Sequence, residues 1–175
     1  MKATEDLKGE ETNAQAKYLA FAEKADKEGY KAVASLFRAA AKSEEVHTAN
    51  FAKAIKNLKG TPKVDKKTPV VQSTKNNLEN ALKNETKESG TDYPALMKVA
   101  KDEGNKSAEM AYLGTIKANE AHQAFYKDAL ANLNAWKNAK KDFLVCTVCG
   151  YTTVDMSIKK CPVCSVPRDK FVTVN

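Results

Sequence analysis

The segment from Glu28 to Leu58 recurs at an offset of 75 as Glu103 to Leu133, and a repeat of this length confines the chain to a duplicated scaffold. EGYKAVASLFRAAAKSEEVHTANFAKAIKNL becomes EGNKSAEMAYLGTIKANEAHQAFYKDALANL. Gly29 falls on Gly104, Phe37 on Tyr112, Phe51 on Tyr126, Ala54 on Ala129 and Leu58 on Leu133. His47 falls on His122, and the chain has no other histidine. A duplication that reuses both histidines points to a paired site.

Apolar spacing places the repeat on helices. Thr4 is positioned to cap a first helix, whose stripe runs through Leu7, Ala14, Tyr18, Phe21 and Ala25, with Glu11 on the same side and Gly29 at its end. The second helix carries Val33, Leu36, Phe37, Ala40, Phe51, Ala54 and Leu58, with Glu44 and His47 on the stripe, and Gly60-Thr61-Pro62 stops it. Thr61 to Pro69 is rich in Lys and Pro, lacks an apolar period and reads as a long crossover. A third helix comes next, with Leu78, Ala81, Leu82, Glu85 and Glu88 along one side. Gly90 and Tyr93-Pro94 interrupt it, Leu96, Val99 and Ala100 resume the stripe, and Gly104 closes it. The fourth helix buries Ala108, Ala111, Tyr112, Thr115, Tyr126, Ala129 and Leu133 and runs towards Trp136, with Asn119 and His122 on its stripe. Two hairpins joined by a long crossover predict a mainly α fold, a ferritin-like four-helix bundle, over residues 1–139.

Stripes of this kind usually mean core packing alone. Here Glu11, Glu44, His47, Glu85, Glu88 and His122 interrupt them at inward positions. A carboxylate moved into an apolar core costs several kcal/mol unless it is neutralised or paired. Four on facing helices also repel one another, and a pair of iron ions removes both penalties. Glu44 and His47 stand three residues apart, so one helix face offers both to one metal. A lone Glu-x-x-His occurs often by chance. A positional recurrence with carboxylates on the other two helices does not.

All four cysteines lie within 19 residues, as Cys146-x-x-Cys149 and Cys161-x-x-Cys164 separated by eleven residues. Such a cluster signals a four-thiolate metal site rather than a disulfide framework. Each pair can form a turn whose N–H groups face sulfur, and thiolate accepts zinc or iron. Taken alone, the module over 140–175 can also be read as a zinc ribbon, with metal binding supplying much of its folding energy.

The formal charge of +7 is mostly lysine scattered on helical faces, with only Arg38 and Arg168 as arginines, so no nucleic-acid patch is expected. No apolar run approaches the ~20 residues that span a bilayer, so no membrane is expected. MKATEDLKGEE lacks an apolar signal core, and a cytoplasmic setting is expected.

Essentially the whole chain resembles the rubrerythrins, small non-haem iron peroxidases. Glu11 opens Glu-x-x-Ala-x-x-x-Tyr through Ala14 and Tyr18, Glu85-Thr-Lys-Glu88 precedes Tyr93-Pro94, and Glu44 and His47 match the first Glu-x-x-His. Cys-x-x-Cys-Gly-Tyr followed by Cys-Pro-x-Cys is similar to the rubredoxin knuckles, with Ser165 where those often have Gly. The resemblance implies a di-iron site on Glu11, Glu44, His47, Glu85, Glu88 and His122, which would also be the catalytic residues. It implies a single Fe(S-Cys)4 on Cys146, Cys149, Cys161 and Cys164, for which zinc can substitute, and Tyr18 and Tyr93 as hydrogen-bond partners that orient carboxylates. The second motif departs from the family, since it reads Asn119-Glu120-Ala121-His122. Asn119 can offer a carbonyl oxygen to a metal but is neutral and a poor bridge. Glu120 points about 100° away on a regular helix and could replace it only at a local bulge. The second iron is therefore expected to bind weakly, to be replaced by another metal or to be absent.

The implied activity is reduction of hydrogen peroxide to water in oxidative-stress defence. A reduced carboxylate-rich iron pair gives two electrons to peroxide and polarises its O–O bond. In the family one iron moves between a His and a Glu ligand, positions that match His47 and Glu85. The rubredoxin-like iron returns electrons drawn from a separate reductase or rubredoxin, within a head-to-tail homodimer in which the module of one chain approaches the bundle of the other. Two rival readings stand beside it. One is a ferroxidase that sequesters iron, against which the electron-carrying module argues. The other is a metal-binding electron-transfer protein whose di-iron site is impaired at Asn119.

Overall fold

The computed structural model describes the backbone of residues 2–57 and 65–175 and the side chains of 10–57 and 65–175. Leu58 and the Gly60-Thr61-Pro62 stop lie outside the described residues, as do the side chains of Thr4 and Leu7. Four long helical segments form the bundle: α1 (Lys2–Lys27), α2 (Lys31–Asn57), the third segment, and α5 (Lys106–Ala131). The third is composite, with α3 (Thr74–Lys87), a π turn (Glu88–Asp92) and α4 (Tyr93–Asp102). A short α6 (Leu133–Lys137) comes after α5, and residues 138–142 lead into a three-stranded antiparallel sheet, β2 (Thr152–Thr153), β1 (Phe143–Cys146), β3 (Phe171–Val174) in that order. The fold is therefore a ferritin-like bundle with a small C-terminal β module.

Local chemistry sets the ends. Gly29 and Gly104 take φ of 81° and 69° just beyond α1 and α4. Ser73 caps α3 by accepting from the Asn76 N–H at 3.3 Å, and Asn105 caps α5 through Ala108 at 3.1 Å. The Glu28 carboxylate accepts the Thr74 N–H at 2.8 Å, so the tight turn after α1 also secures the start of α3. Asn13 holds the crossover through Asp65 and Lys67.

The core consists of two apolar clusters. One gathers Tyr18, Phe21, Leu36, Phe37, Leu78, Tyr126 and Trp136. The other gathers Phe51, Tyr93, Tyr112 and Ile116. Along α2, α5 and the third segment, the polar inward residues lie between the two. Tyr18 and Phe37 stack with centroids 6.1 Å apart, and Phe51 meets Tyr112 at 5.1 Å.

Two features depart from the simple stripes. The π turn, closed by the Tyr93 N–H on the Glu88 carbonyl, inserts one residue into the third segment. An extra residue rotates the remainder of a helix by about 100°. Tyr93 and Ala100 consequently face inward, and Val99, expected on the stripe, is 52% exposed. The carbonyl of Glu85 is taken by Ser89 Oγ at 2.8 Å and by Gln123 Nε2 at 3.3 Å, so the bulge leaves it satisfied. Second, α2 is buried nearly all round from Ala32 to Ala41, because Phe143 and Val145 of β1 join the same cluster from the outer side. The module thus rests on its own bundle. Arg38 of α2 fastens β3 by donating from Nε to the Asn175 carbonyl at 2.6 Å and from Nη1 to Asp26 at 2.7 Å.

Candidate metal centres

Between the apolar clusters lies a polar layer built from four segments. Glu11 comes from α1, Glu44 and His47 from α2, Glu85 from α3, and Asn119 and His122 from α5, and all six are buried. Glu88, at the start of the π turn, is half-buried.

Glu11, Glu44 and His47 form the compact half, with one potential ligand atom each inside a 4.8 Å cluster. Their environment opposes charge. Burial raises Glu11 well above the usual carboxylate range, and it raises Glu44 to about 8. Burial lowers His47 to about 4. Without a cation, burial therefore favours the uncharged form of both partners of the 2.9 Å contact between His47 Nδ1 and Glu44 Oε2. Tyr93 donates to Glu11 Oε1 at 2.7 Å. Burial keeps that phenol protonated and so a permanent donor.

Glu85, Glu88, His122 and Asn119 form the looser half. Tyr18 and Tyr126 both donate to Glu85 Oε1, at 2.6 and 3.1 Å. Glu85 Oε2, His122 Nδ1 and Asn119 Oδ1 are buried with no hydrogen-bond partner. The first two face each other at 3.3 Å. Buried acceptors left unpaired are costly, and a cation between them removes the cost. The donor set thus fits a metal. Burial raises Glu88 to about 8 as well, with Glu11 and Glu85 adding to the effect. Asn119 donates from Nδ2 to Glu88 Oε2 at 3.1 Å. The α5 helix is unbroken through this stretch, and Glu120 points to solvent, paired with Lys117 at 2.7 Å. Asn119, not its neighbour, occupies the inward position.

The cysteines converge from two turns. All four sulfurs lie within 4.8 Å of one another, with Cys146–Cys164 at 3.6 Å and Cys149–Cys161 at 3.5 Å. Backbone N–H groups of Val148 and Cys149 face the Cys146 sulfur, that of Tyr151 faces Cys149, and that of Val166 faces Cys164. The Cys149 thiol donates to Cys146, which pulls Cys146 well below the usual thiol range and pushes Cys149 up. Four convergent thiols with N–H groups aimed at sulfur suit a tetrahedral thiophilic ion.

Several polar contributors here are not singled out by sequence patterning. Helical spacing assigns Tyr126 only to packing, although its counterpart in the repeat is Phe51, and the added hydroxyl is the signal. Ser43 and Thr152, which join the module to the histidines, carry no signal of their own, and Gly150 is marked only as part of the Cys-x-x-Cys-Gly-Tyr knuckle. Gly114 does: a glycine inside a helix costs about 1 kcal/mol against alanine. A Cβ there would lie 2.9 Å from the Cys149 carbonyl oxygen.

A bundle with a buried carboxylate–histidine layer, joined to a four-cysteine β module, defines an iron-binding, oxidoreductase-type class of protein. A family model described as rubrerythrin matches residues 7–130, and one described as the rubrerythrin rubredoxin-like domain matches 145–172. The chain belongs to the rubrerythrin family. It is 32% identical to rubrerythrin-2 of Clostridium acetobutylicum over 166 residues, 93% of this chain and 90% of that one. It is 33% identical to nigerythrin of Nitratidesulfovibrio vulgaris over 162 residues, 92% of this chain and 79% of that one. A structure of fully reduced, all-ferrous nigerythrin superposes with a TM-score of 0.89 at 29% identity, covering 98% of this chain and 85% of that chain.

Proposed function

We propose that the protein reduces hydrogen peroxide to two waters, using two electrons and two protons per turnover. On this reading Glu11, Glu44, His47, Glu85, Glu88 and His122 hold an iron pair, with Asn119 beside it, and the four cysteines hold a single iron that relays electrons from a reductase or rubredoxin. The observation that supports it is the set of unpaired buried acceptors, Glu85 Oε2, His122 Nδ1 and Asn119 Oδ1, opposite the compact Glu11–Glu44–His47 cluster. When bound, a reduced iron pair would supply the two electrons and the Lewis acidity that weakens an O–O bond.

The chain's own groups prepare the site. Tyr18 and Tyr126 occupy Glu85 Oε1 and leave Oε2 free. Tyr93 occupies Glu11 Oε1 in the same way. Glu88 lines a polar cavity of about 440 Å³ with Glu10, Asn13, Lys17, Lys87 and Asp92, and this mouth admits peroxide and protons.

The test is anaerobic: chemically reduced, iron-loaded protein is mixed with peroxide and an electron donor. Many turnovers per chain support the assignment, and consumption that halts after one reducing equivalent per iron rejects it in favour of iron oxidation. Asn119 supports a second reading, a relay protein with a weakened second site. Asn119→Glu separates the two, because it should raise bundle iron from below two towards two per chain and raise turnover with it. We also propose a cytoplasmic setting and a head-to-tail homodimer. Light scattering should give twice the chain mass, and a single-chain mass rejects the pair. No helix among the described residues is long and apolar enough to cross a membrane.

A further inference from the structure

The loop Cys149–Thr152 reaches the same edge of both candidate ligand histidines. Thr152 Oγ1 lies 2.9 Å from His122 Nε2 and 3.3 Å from the Gly150 carbonyl. The carbonyl can only accept, and with the threonine proton on it Oγ1 accepts from His122 Nε2–H. In the neutral ring that leaves Nδ1 as the bare nitrogen. It is the atom that is buried, unpartnered and 3.3 Å from Glu85 Oε2.

The same logic holds across the repeat. Ser43 Oγ donates to the Gly150 carbonyl at 2.6 Å. It can then only accept from His47 Nε2, 3.4 Å away. His47 Nδ1 is left bare towards Glu44. Gly150 permits this approach. Its φ is 81°, and a Cβ would run into His47 Nε2 and lie 2.8 Å from Ser43 Oγ. Asn50 Nδ2 holds the loop by donating to the Val148 carbonyl at 2.9 Å.

We infer that the Cys149–Thr152 loop is a tautomer lock on both histidines, with Thr152 as a positioning residue that presents His122 Nδ1 to the looser half of the bundle site. Thr152 is not a ligand, and it acts only through His122. Cys149 is itself one of the four thiolates, so the segment that metal binding shapes in the module is the segment that orients the histidines. The affinity of the bundle for its second ion depends on this contact. The inference rests on the bundle being a metal site and is independent of whether peroxide is the substrate.

The full chain is titrated with Co(II), whose thiolate charge-transfer bands report the cysteines and whose weaker ligand-field bands report the bundle. Thr152→Val keeps the shape and removes the acceptor. The second bundle equivalent should weaken about 10–100-fold, the usual effect of losing a hydrogen bond behind a ligating histidine. Thr152→Ser should restore it, with the thiolate bands the same in all three proteins. Unchanged affinity in Thr152→Val overturns the inference. A second measurement needs no variant: long-range proton–nitrogen correlation of the wild-type full chain with zinc on its cysteines. Both histidines, the only two present, should carry the proton on Nε2. A proton on Nδ1 of His122 overturns the lock.

Discussion

At the residue scale, proton affinity and backbone conformation give separate predictions. Burial raises Glu44 and Glu88 to about 8 in the folded chain without a cation. A carboxyl raised on folding makes the native state bind more protons than the unfolded one. Its contribution is complete below the unfolded value near 4.5 and is lost as pH rises through 8. Metal-free protein should therefore melt at a lower temperature at pH 9 than at pH 6, and loading the bundle should flatten that dependence. Equal melting temperatures would show that these carboxyls are not held neutral. Ser165 is the only described residue other than glycine with positive φ, at 61°. A left-handed residue with a Cβ costs about 1–2 kcal/mol, part of which glycine returns as unfolded-state entropy. Ser165→Gly should accordingly stabilise the metal-loaded module by about 0.5–1 kcal/mol in chemical denaturation.

At the element scale, helix ends and the π turn decide which faces meet. The Glu28 carboxylate sits on the first N–H of α3, and that bond to Thr74 holds it down at about 2. A depressed carboxyl contributes its stability above the unfolded value of 4.5 and loses it as pH falls towards 2. Glu28→Gln should cost about 0.3–1 kcal/mol at pH 7, the usual value of an anion at a helix N-terminus. The difference from wild type should shrink as pH falls through about 2, and a difference that persists well below it would assign the effect to packing. The period of 3.6 made the helices, their order and the inward side of Glu11, Glu44, Glu85, Asn119 and His122 legible. It could not place Tyr93 and Val99 together, because Gly90 and Tyr93-Pro94 signal an interruption without saying how many residues it inserts. One extra residue brings Tyr93 inward to Glu11 and turns Val99 out.

At the scale of the whole molecule, the module and bundle share one core. Phe143 is fully buried in the cluster that holds Leu36 and Trp136. Phe143→Ala should destabilise the metal-loaded chain by about 3–5 kcal/mol, and a single denaturation transition should report both parts together. Stripping the thiolate metal should uncover α2 and lower the stability of the bundle as well, because the Ala32–Ala41 stretch then loses its outer cover. Two independent transitions in the loaded protein would refute the shared core. The sequence by itself determined the duplication, the four helices, the carboxylate–histidine layer and the paired cysteine turns, because each is written in spacing along one segment. Only the tertiary structure decided that Thr152, Ser43 and Gly150 meet the histidines, that Gly114 yields to the Cys149 carbonyl, and that Asn119 bonds Glu88. Those contacts join residues up to 107 positions apart. Their geometry comes from how the module seats on α2 and α5, and no local pattern encodes that.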